Sequence, residues 1–109
     1  MFSRLQRFHG HNSLRPVYQT GKSLYAPHMK LLWLPASGLK VAVVVSKKVH
    51  KSAVVRNRIR RRLYEITRTY AKEQELACHI VCIVQSDVLA TLPPQEVSAE
   101  MRQLLQKIK

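Results

Sequence analysis

The apolar residues between positions 55 and 70 recur at spacings of four, four, three and four. They are Val55, Ile59, Leu63, Ile66 and Tyr70. On a helical wheel these side chains fall within roughly 80° of arc. The pattern predicts a helix from about Ala53 to Lys72, with Ser52 as its N-cap and one apolar face directed towards a core.

Shorter apolar runs predict four strands, at residues 22–26, 29–34, 40–45 and 79–84. The third run contains the continuous, largely β-branched stretch VAVVV. Such a stretch is typical of a central strand that is buried on both faces. The fourth run is likewise apolar at successive positions, so we expect it to be buried on both faces too.

Two further helices are predicted near the ends of the chain. Ser13 caps a short helix through Thr20, and Gly21 suits the left-handed residue that would end it. Pro93 and Pro94 open a last helix, after a loop or short turn at 87–92. The predicted order is α-β-β-β-α-β-α. The fold class is therefore α+β, a two-layer sandwich of a mixed sheet of about four strands with helices on one side.

The composition indicates a folded domain that binds an anionic partner. The 109 residues suffice for one domain, 1–109, in which residues 1–12 form a mobile basic arm. A hydrophobic content of 46% argues against a disordered tail, and a net charge of +13 calls for an anionic partner. Nucleic acid is the first expectation and an anionic membrane surface the second. Since no apolar run approaches the ~20 residues of a spanning helix and no secretory signal is present, we expect a cytoplasmic protein without membrane contact.

The positive charge is concentrated between Ser46 and Arg62, where eight of the seventeen residues are Lys or Arg and none is acidic. Glu65 is the only acid between Ser46 and Lys72. A merely solvated helix face usually mixes charges of both signs, and a membrane-surface helix would need its apolar face free. Arginine meets phosphate oxygens two at a time, so we expect this helix to bind RNA.

The sequence offers no protein-borne chemistry. Cys78, His79 and Cys82 lack the second pair of ligands that a structural zinc site needs, so we expect no metal and interpret the cysteines as small hydrophobic residues of a strand. The few acids form no cluster that could hold catalytic metal ions, and no two histidines are expected to converge. We therefore predict no catalytic residues. His50 could contact phosphate or remain a solvated loop residue.

The string SKKVHKSAVVRNRIRRRL, from Ser46 to Leu63, resembles the signature of the bacterial ribonuclease P protein subunit, with its Arg-Asn-Arg core at 56–58. The segment SLRPVYQTGKSL, residues 13 to 24, is similar to that family's first helix and glycine turn. The resemblance implies an accessory subunit of an endoribonuclease whose active site is RNA. Such a protein binds the catalytic RNA and the 5′ leader of precursor tRNA, and it assists the magnesium-dependent endonucleolytic removal of that leader.

The resemblance has further implications. The Mg²⁺ would be held mainly by the RNA, the protein would be a monomer without RNA, and a left-handed βαβ crossover would connect 40–45, 53–72 and 79–84. The residues implied to face the catalytic RNA are Lys47, Lys48, Lys51, Arg56, Asn57, Arg58, Arg60, Arg61 and Arg62. A cleft between the first helix, the sheet and the central helix would bind the leader through Leu14, Tyr18, Leu32 and Trp33.

Some alternatives remain open at this stage. Leu14 stands where the family commonly has Phe, and strand alternation allows only one of Leu32 and Trp33 to face the cleft. Asn57 could contact RNA or hold a neighbouring loop. A ribosomal or other structural RNA-binding protein would share the same electrostatics, whereas a small metal-dependent nuclease is disfavoured by the scattered acids.

Overall fold

The structure is a computed structural model that describes Val17, Gln19 and residues 21–108. Its elements are β1 (Lys22–Tyr25), β2 (Met29–Pro35), β3 (Lys40–Val44), α1 (Ala53–Gln74), β4 (Cys78–Val84), a 3-10 turn (Asp87–Ala90) and α2 (Pro94–Leu105). This order confirms the predicted α+β class. Val17 and Gln19 are helical, while the rest of the predicted helix 13–20 and the arm 1–12 lie outside the described residues.

The four strands form one mixed sheet in the order β1-β2-β4-β3. β1, β2 and β4 pair antiparallel in that order, and β3 pairs parallel to β4. The prediction that β3 is a central strand is therefore wrong, because β3 lies at an edge. The helix α1 connects the parallel strands β3 and β4, as the expected βαβ unit requires, and its left-handed sense stays a prediction.

The edge of β3 is closed by two side chains of α1 rather than by another strand. The hydroxyl of Tyr64 accepts a hydrogen bond from the backbone N–H of Val43 at 3.2 Å. Arg60 donates through Nη2 to the carbonyl oxygen of Val45 at 3.3 Å. Because an edge strand otherwise exposes backbone groups that can recruit another strand, these contacts explain how an edge strand tolerates so apolar a sequence.

Both long helices pack on one face of the sheet. Ile59, Leu63 and Tyr70 of α1 are buried there, and the apolar side of α2 packs beside them. The predicted apolar face of α1 is confirmed. The sheet contributes alternate residues to the same core, among them Met29, Leu31, Trp33, Val41, Val43, Cys78, Ile80, Cys82 and Val84.

A smaller cluster lies on the other face of the sheet. Val17 packs there against Leu32 and Val81, so the prediction that all helices lie on one side is wrong. Gly21 follows, and its N–H donates to the carbonyl oxygen of Val17 at 2.9 Å. A Cβ at Gly21 would lie 2.3 Å from that oxygen. Glycine is therefore required by a close backbone approach, and not by the left-handed conformation that the sequence suggested.

The turn between β1 and β2 is tied to α2. Glu100 accepts a hydrogen bond from the backbone N–H of His28 at 3.1 Å and contacts the Nδ1 atom of the same residue at 2.8 Å. The side chain of Glu100 is only 11% exposed. This carboxylate is thus occupied in holding the hairpin to the helical layer.

Candidate nucleic-acid interface

The predicted RNA-facing residues lie on α1 and on the loop that precedes it. Ser52 caps the helix by accepting from the N–H of Val55, and no acidic residue stands in the first turn. Six members of the set are exposed: Lys47, Lys48, Lys51, Asn57, Arg58 and Arg61. The other three are half-buried: Arg56, Arg60 and Arg62. We call these nine residues the basic surface.

The half-buried arginines donate to backbone oxygens of the segments that border α1. Arg56 donates through Nη1 to the carbonyl oxygens of His50 at 3.0 Å and Lys51 at 2.9 Å, which fixes the preceding loop. Arg60 reaches the end of β3, as described above. Arg62 donates through Nη1 to the carbonyl oxygens of Leu89 at 3.2 Å and Leu92 at 2.7 Å.

These bonds give two arginine populations with different roles. A carbonyl oxygen carries no formal charge, so each bonded guanidinium remains cationic while its position is fixed. Arg58 and Arg61 are more exposed, and no hydrogen bond or ion pair joins either of them to another described residue. The half-buried group therefore shapes the surface, and the exposed group is available to an anion.

Acidic side chains do not neutralise the basic surface. In the described part of the chain the ion pairs are Glu65 with Arg68, Glu73 with Arg102 at 3.6 Å and Glu100 with His28, and none includes a residue of the basic surface. The hydrogen bond from Arg68 lowers the pKa of Glu65, so this carboxylate is ionised at neutral pH. The cations of the basic surface can consequently attract an anion from outside the protein.

Two residues left open by the sequence have internal partners. Asn57 Oδ1 accepts a hydrogen bond from Arg60 Nη1 at 2.6 Å, so its amide orients an arginine. His50 Nδ1 accepts from the backbone N–H of Ser52 at 3.0 Å and thereby supports the start of α1. Both side chains organise the basic surface from within.

A second surface lies on the sheet face opposite the two long helices, where Val17 covers Leu32 and Val81 and the surrounding residues are at least partly exposed. Alternate residues of the strands line it: Ser23, Tyr25, Lys30, Leu32, Leu34, Lys40, Ala42, Val44, His79, Val81 and Ile83. We call this the open sheet face. Tyr25 is 66% exposed, and the Nζ atom of Lys30 lies 5.4 Å from the centroid of its ring. Sequence reasoning missed this pair, although the strand alternation of β1 and β2 could have placed the two residues on the face of Leu32.

The structure separates Leu32 from Trp33. Leu32 lies on the sheet face that packs against Val17, whereas Trp33 belongs to the core beneath the helices, and each is 5% exposed. Neither side chain is exposed, because Val17 covers Leu32 and the two long helices cover Trp33. Leu14 and Tyr18 lie outside the described residues, and the leader cleft as a whole stays a prediction.

The described residues contain no candidate metal centre, and both of their cysteines are buried. Among them, no group of three or more His, Cys, Asp or Glu side chains could hold a metal ion. Burial raises the pKa of Cys78 to about 11 and that of Cys82 to about 12, so both thiols are protonated and behave as apolar groups at neutral pH. Over the same part of the chain, no helix is both long and apolar enough to cross a bilayer.

Fold and site together define a small, strongly basic α+β domain with a preorganised, unneutralised arginine surface. A family model described as Ribonuclease P matches residues 2–109, and the chain belongs to this family. The resemblance noted in the sequence is thereby confirmed. A ribonuclease P protein component of Synechococcus sp. (strain JA-2-3B'a(2-13)) is 33% identical over 107 residues, which cover 93% of this chain and 80% of that protein.

Other relatives match shorter segments. The ribonuclease P protein component of Thermus scotoductus is 68% identical over 40 residues, and that of Synechococcus elongatus is 39% identical over 66 residues. These matches span 24% and 54% of the lengths of those two proteins. They cover 37% and 55% of this chain.

Solved structures show the same fold. The ribonuclease P protein of Staphylococcus aureus superposes with a TM-score of 0.82 at 20% identity, covering 95% of both chains. The protein of Thermotoga maritima superposes with a TM-score of 0.77 at 23% identity, covering 88% of this chain and 94% of that one. At these identities the likeness establishes the fold.

Proposed function

We propose that this chain is the protein component of a ribonuclease P ribonucleoprotein and takes part in the maturation of tRNA 5′ ends. The observation that carries the proposal is the basic surface, whose arginines and lysines form no ion pair with the described carboxylates. Membership of the family supports a catalytic RNA as the partner.

The basic surface suits an RNA backbone for two reasons. Exposed Arg58 and Arg61 offer planar donor groups that match phosphate oxygens, and the loop lysines add charge beside them. The carbonyl bonds of Arg56, Arg60 and Arg62 fix the surface before RNA arrives, so less conformational entropy is lost on binding. Neutralised phosphates release counterions, and affinity should therefore fall steeply with salt.

The 5′ leader of precursor tRNA is proposed to bind on the open sheet face. Tyr25 with Lys30 offers an exposed aromatic ring beside a cation, and Leu32 supports this face from beneath Val17. Stacking on an aromatic ring tolerates any base, which suits a leader of variable sequence. We keep Leu14 and Tyr18 as proposed contacts of the adjoining first helix.

The chemistry is proposed to belong to the RNA. Hydrolysis of a phosphodiester by Mg²⁺ needs ligands that converge on the ions, and the RNA would provide most of them. The protein would assist by adding positive charge beside the catalytic RNA and by holding the leader. It would thus be an accessory subunit of an endoribonuclease in the cytoplasm.

Reconstitution tests the proposal. The purified protein, a transcribed bacterial ribonuclease P RNA and precursor tRNA are combined at low Mg²⁺ concentration. We expect no cleavage by the protein alone and faster leader removal when both components are present. Robust cleavage by the protein alone, or no stimulation of the RNA at any Mg²⁺ concentration, would contradict the proposal.

Variants separate the two surfaces. Arg58→Ala and Arg61→Ala should weaken binding to the catalytic RNA and flatten its salt dependence, while Lys107→Ala, an exposed cation on the chain after α2, serves as the control of equal charge change. Tyr25→Ala should chiefly reduce the preference for leader-bearing over mature tRNA, and Tyr25→Phe should retain it. If both kinds of variant give the same defect, the division between the surfaces is wrong.

A further inference from the structure

A cavity of about 290 Å³ lies between α1 and the start of α2. Its lining comes from Arg62, Glu65 and Ile66 on α1 and from Pro94, Val97 and Ser98 on α2. The surface inside is almost wholly apolar. Its size lies at the lower end of the ~300–1,000 Å³ range of small-molecule sites, so it suits a single ring system.

The cavity adjoins a shallow depression that is lined by three arginines and one glutamate. A wider space of about 440 Å³ is lined by Arg58, Arg61, Arg62 and Glu65, and Arg62 and Glu65 line both spaces. From Arg58 to Ile66 the distance along the helix axis is roughly 12 Å. An apolar pocket that is open to solvent on one side thus lies beside two exposed arginines within a few turns of one helix.

Arg62 stands at the junction in a fixed position. Its bonds to the carbonyl oxygens of Leu89 and Leu92 hold the guanidinium between α1 and the segment before α2. The guanidinium is thus held in place before a ligand binds, and the Glu65 carboxylate at the same junction is paired with Arg68.

This combination of chemistry selects the occupant. An apolar peptide or a lipid chain would fill the hole but leave the arginines without an anion, whereas a phosphate alone would leave the hole empty. A nucleotide supplies both a flat, weakly polar ring and an adjoining phosphate. Proteins that recognise RNA commonly take unstacked bases into such pockets against apolar or guanidinium surfaces.

We propose that the cavity between α1 and α2 receives one extruded base of the bound RNA, with the flanking phosphates on Arg58 and Arg61. The inference rests on the proposed function and adds a base-binding site to a surface that otherwise contacts the backbone. It makes part of the RNA affinity independent of salt.

Filling the cavity tests the proposal. Ser98→Leu places apolar bulk in the cavity without changing the charge, and Ser98→Val fills it less. Ala99→Leu is the matched control, because Ala99 is the next residue of α2 and is exposed. Binding to a transcribed bacterial ribonuclease P RNA is measured at several salt concentrations, and thermal melts establish that each variant is folded.

We expect Ser98→Leu to reduce affinity about ten-fold, in line with the loss of the apolar contact of one base, with an unchanged salt slope. Ser98→Val should give a smaller loss, and Ala99→Leu should bind as the unsubstituted protein does. Probing with base-specific reagents should reveal one unpaired base that is protected by the unsubstituted protein and reactive in the Ser98→Leu complex. Removing that base from the RNA should weaken the unsubstituted complex and leave the Ser98→Leu complex unchanged.

Two results would overturn the inference. One is equal affinity and equal base protection for Ser98→Leu and Ala99→Leu. The other is an equal loss of affinity, on removal of the base from the RNA, for the unsubstituted protein and for Ser98→Leu. Failure of the proposed function is distinguishable, because in that case the unsubstituted protein would neither bind nor stimulate the RNA, and Arg58→Ala would have no effect.

Discussion

Replacing Arg62 by alanine should destabilise the protein far more than replacing its neighbour Arg61. Arg62 joins α1 to Leu89 of the 3-10 turn and to Leu92, two residues beyond the end of that turn, through carbonyl oxygens at 3.2 and 2.7 Å. Arg61 is exposed and makes no such contact. Both substitutions remove one positive charge, so their difference isolates the two hydrogen bonds.

The magnitude follows from the type of bond. A hydrogen bond with a charged donor contributes about 1.5–3 kcal/mol net. Arg62 is half-buried, and water can replace part of each lost contact, so we expect a loss of about 2 kcal/mol for the pair of bonds. Arg61→Ala should change stability by no more than about 0.5 kcal/mol, and relief of charge repulsion should offset part of that.

Urea unfolding followed by circular dichroism measures the difference. With a slope of about 2 kcal/mol per molar urea, the Arg62→Ala midpoint should lie about 1 M below that of Arg61→Ala. The salt dependence of RNA binding should change more in Arg61→Ala than in Arg62→Ala. Arg61→Ala removes a phosphate contact, so it should reduce the slope of log affinity against log salt concentration by about one.

Equal unfolding midpoints for the two variants would refute the reasoning. The reasoning would also be refuted if Arg62→Ala reduced the salt dependence of RNA binding more than Arg61→Ala does. Either outcome would mean that the half-buried arginine is not a structural tie and that the two arginine populations do not differ in role.

Three other outcomes are expected. Gly21→Ala should lower the thermal midpoint, because its Cβ would lie 2.3 Å from the carbonyl oxygen of Val17, whereas alanine at the unhindered Gly38 should not. Glu100→Gln should cost about 1 kcal/mol in urea unfolding through the loss of a charged acceptor for His28, and an unchanged midpoint would contradict that role. Burial raises the pKa of Cys82 from 9.0 to about 12, so the protonated thiol contributes fully to the free energy of unfolding below pH 9, and this contribution is lost as the pH rises towards 12. Urea unfolding as a function of pH should therefore show a smaller alkaline loss of stability for Cys82→Ala.

The periodic parts of the fold could be predicted from the sequence. The apolar stripe of α1 predicted a helix at 53–72, and the helix runs from Ala53 to Gln74. The strand at 79–84 begins one residue earlier, at Cys78. These elements follow from local patterns of burial, which is why the predictions agree with the structure.

Long-range arrangements could not be predicted in the same way. The run VAVVV indicated a central strand, but the sequence does not reveal that Tyr64 and Arg60 would close the edge of β3. The role of Gly21 depends on the approach of a carbonyl four residues earlier, which a rule for helix ends does not contain.

The basic surface, too, could be predicted only in its composition and not in its long-range contacts. The residues between Lys47 and Arg62 could be named from composition and from the family resemblance, yet their division into exposed and bonded arginines depends on tertiary contacts. Tyr25 was missed because its pairing with Lys30 needs the register of β1 and β2. The cavity beside Ile66 needs two helices that lie far apart in sequence.

The partly covered edge of β3 has a consequence for the protein that is not bound to RNA. Strand-by-strand growth into fibrils requires an unblocked row of amides and carbonyls, and the side chains of Tyr64 and Arg60 occupy part of that row. At the opposite margin, β1 is short and carries Lys22, a charge that discourages the same kind of docking. Both features disfavour edge-to-edge pairing between copies of the free protein.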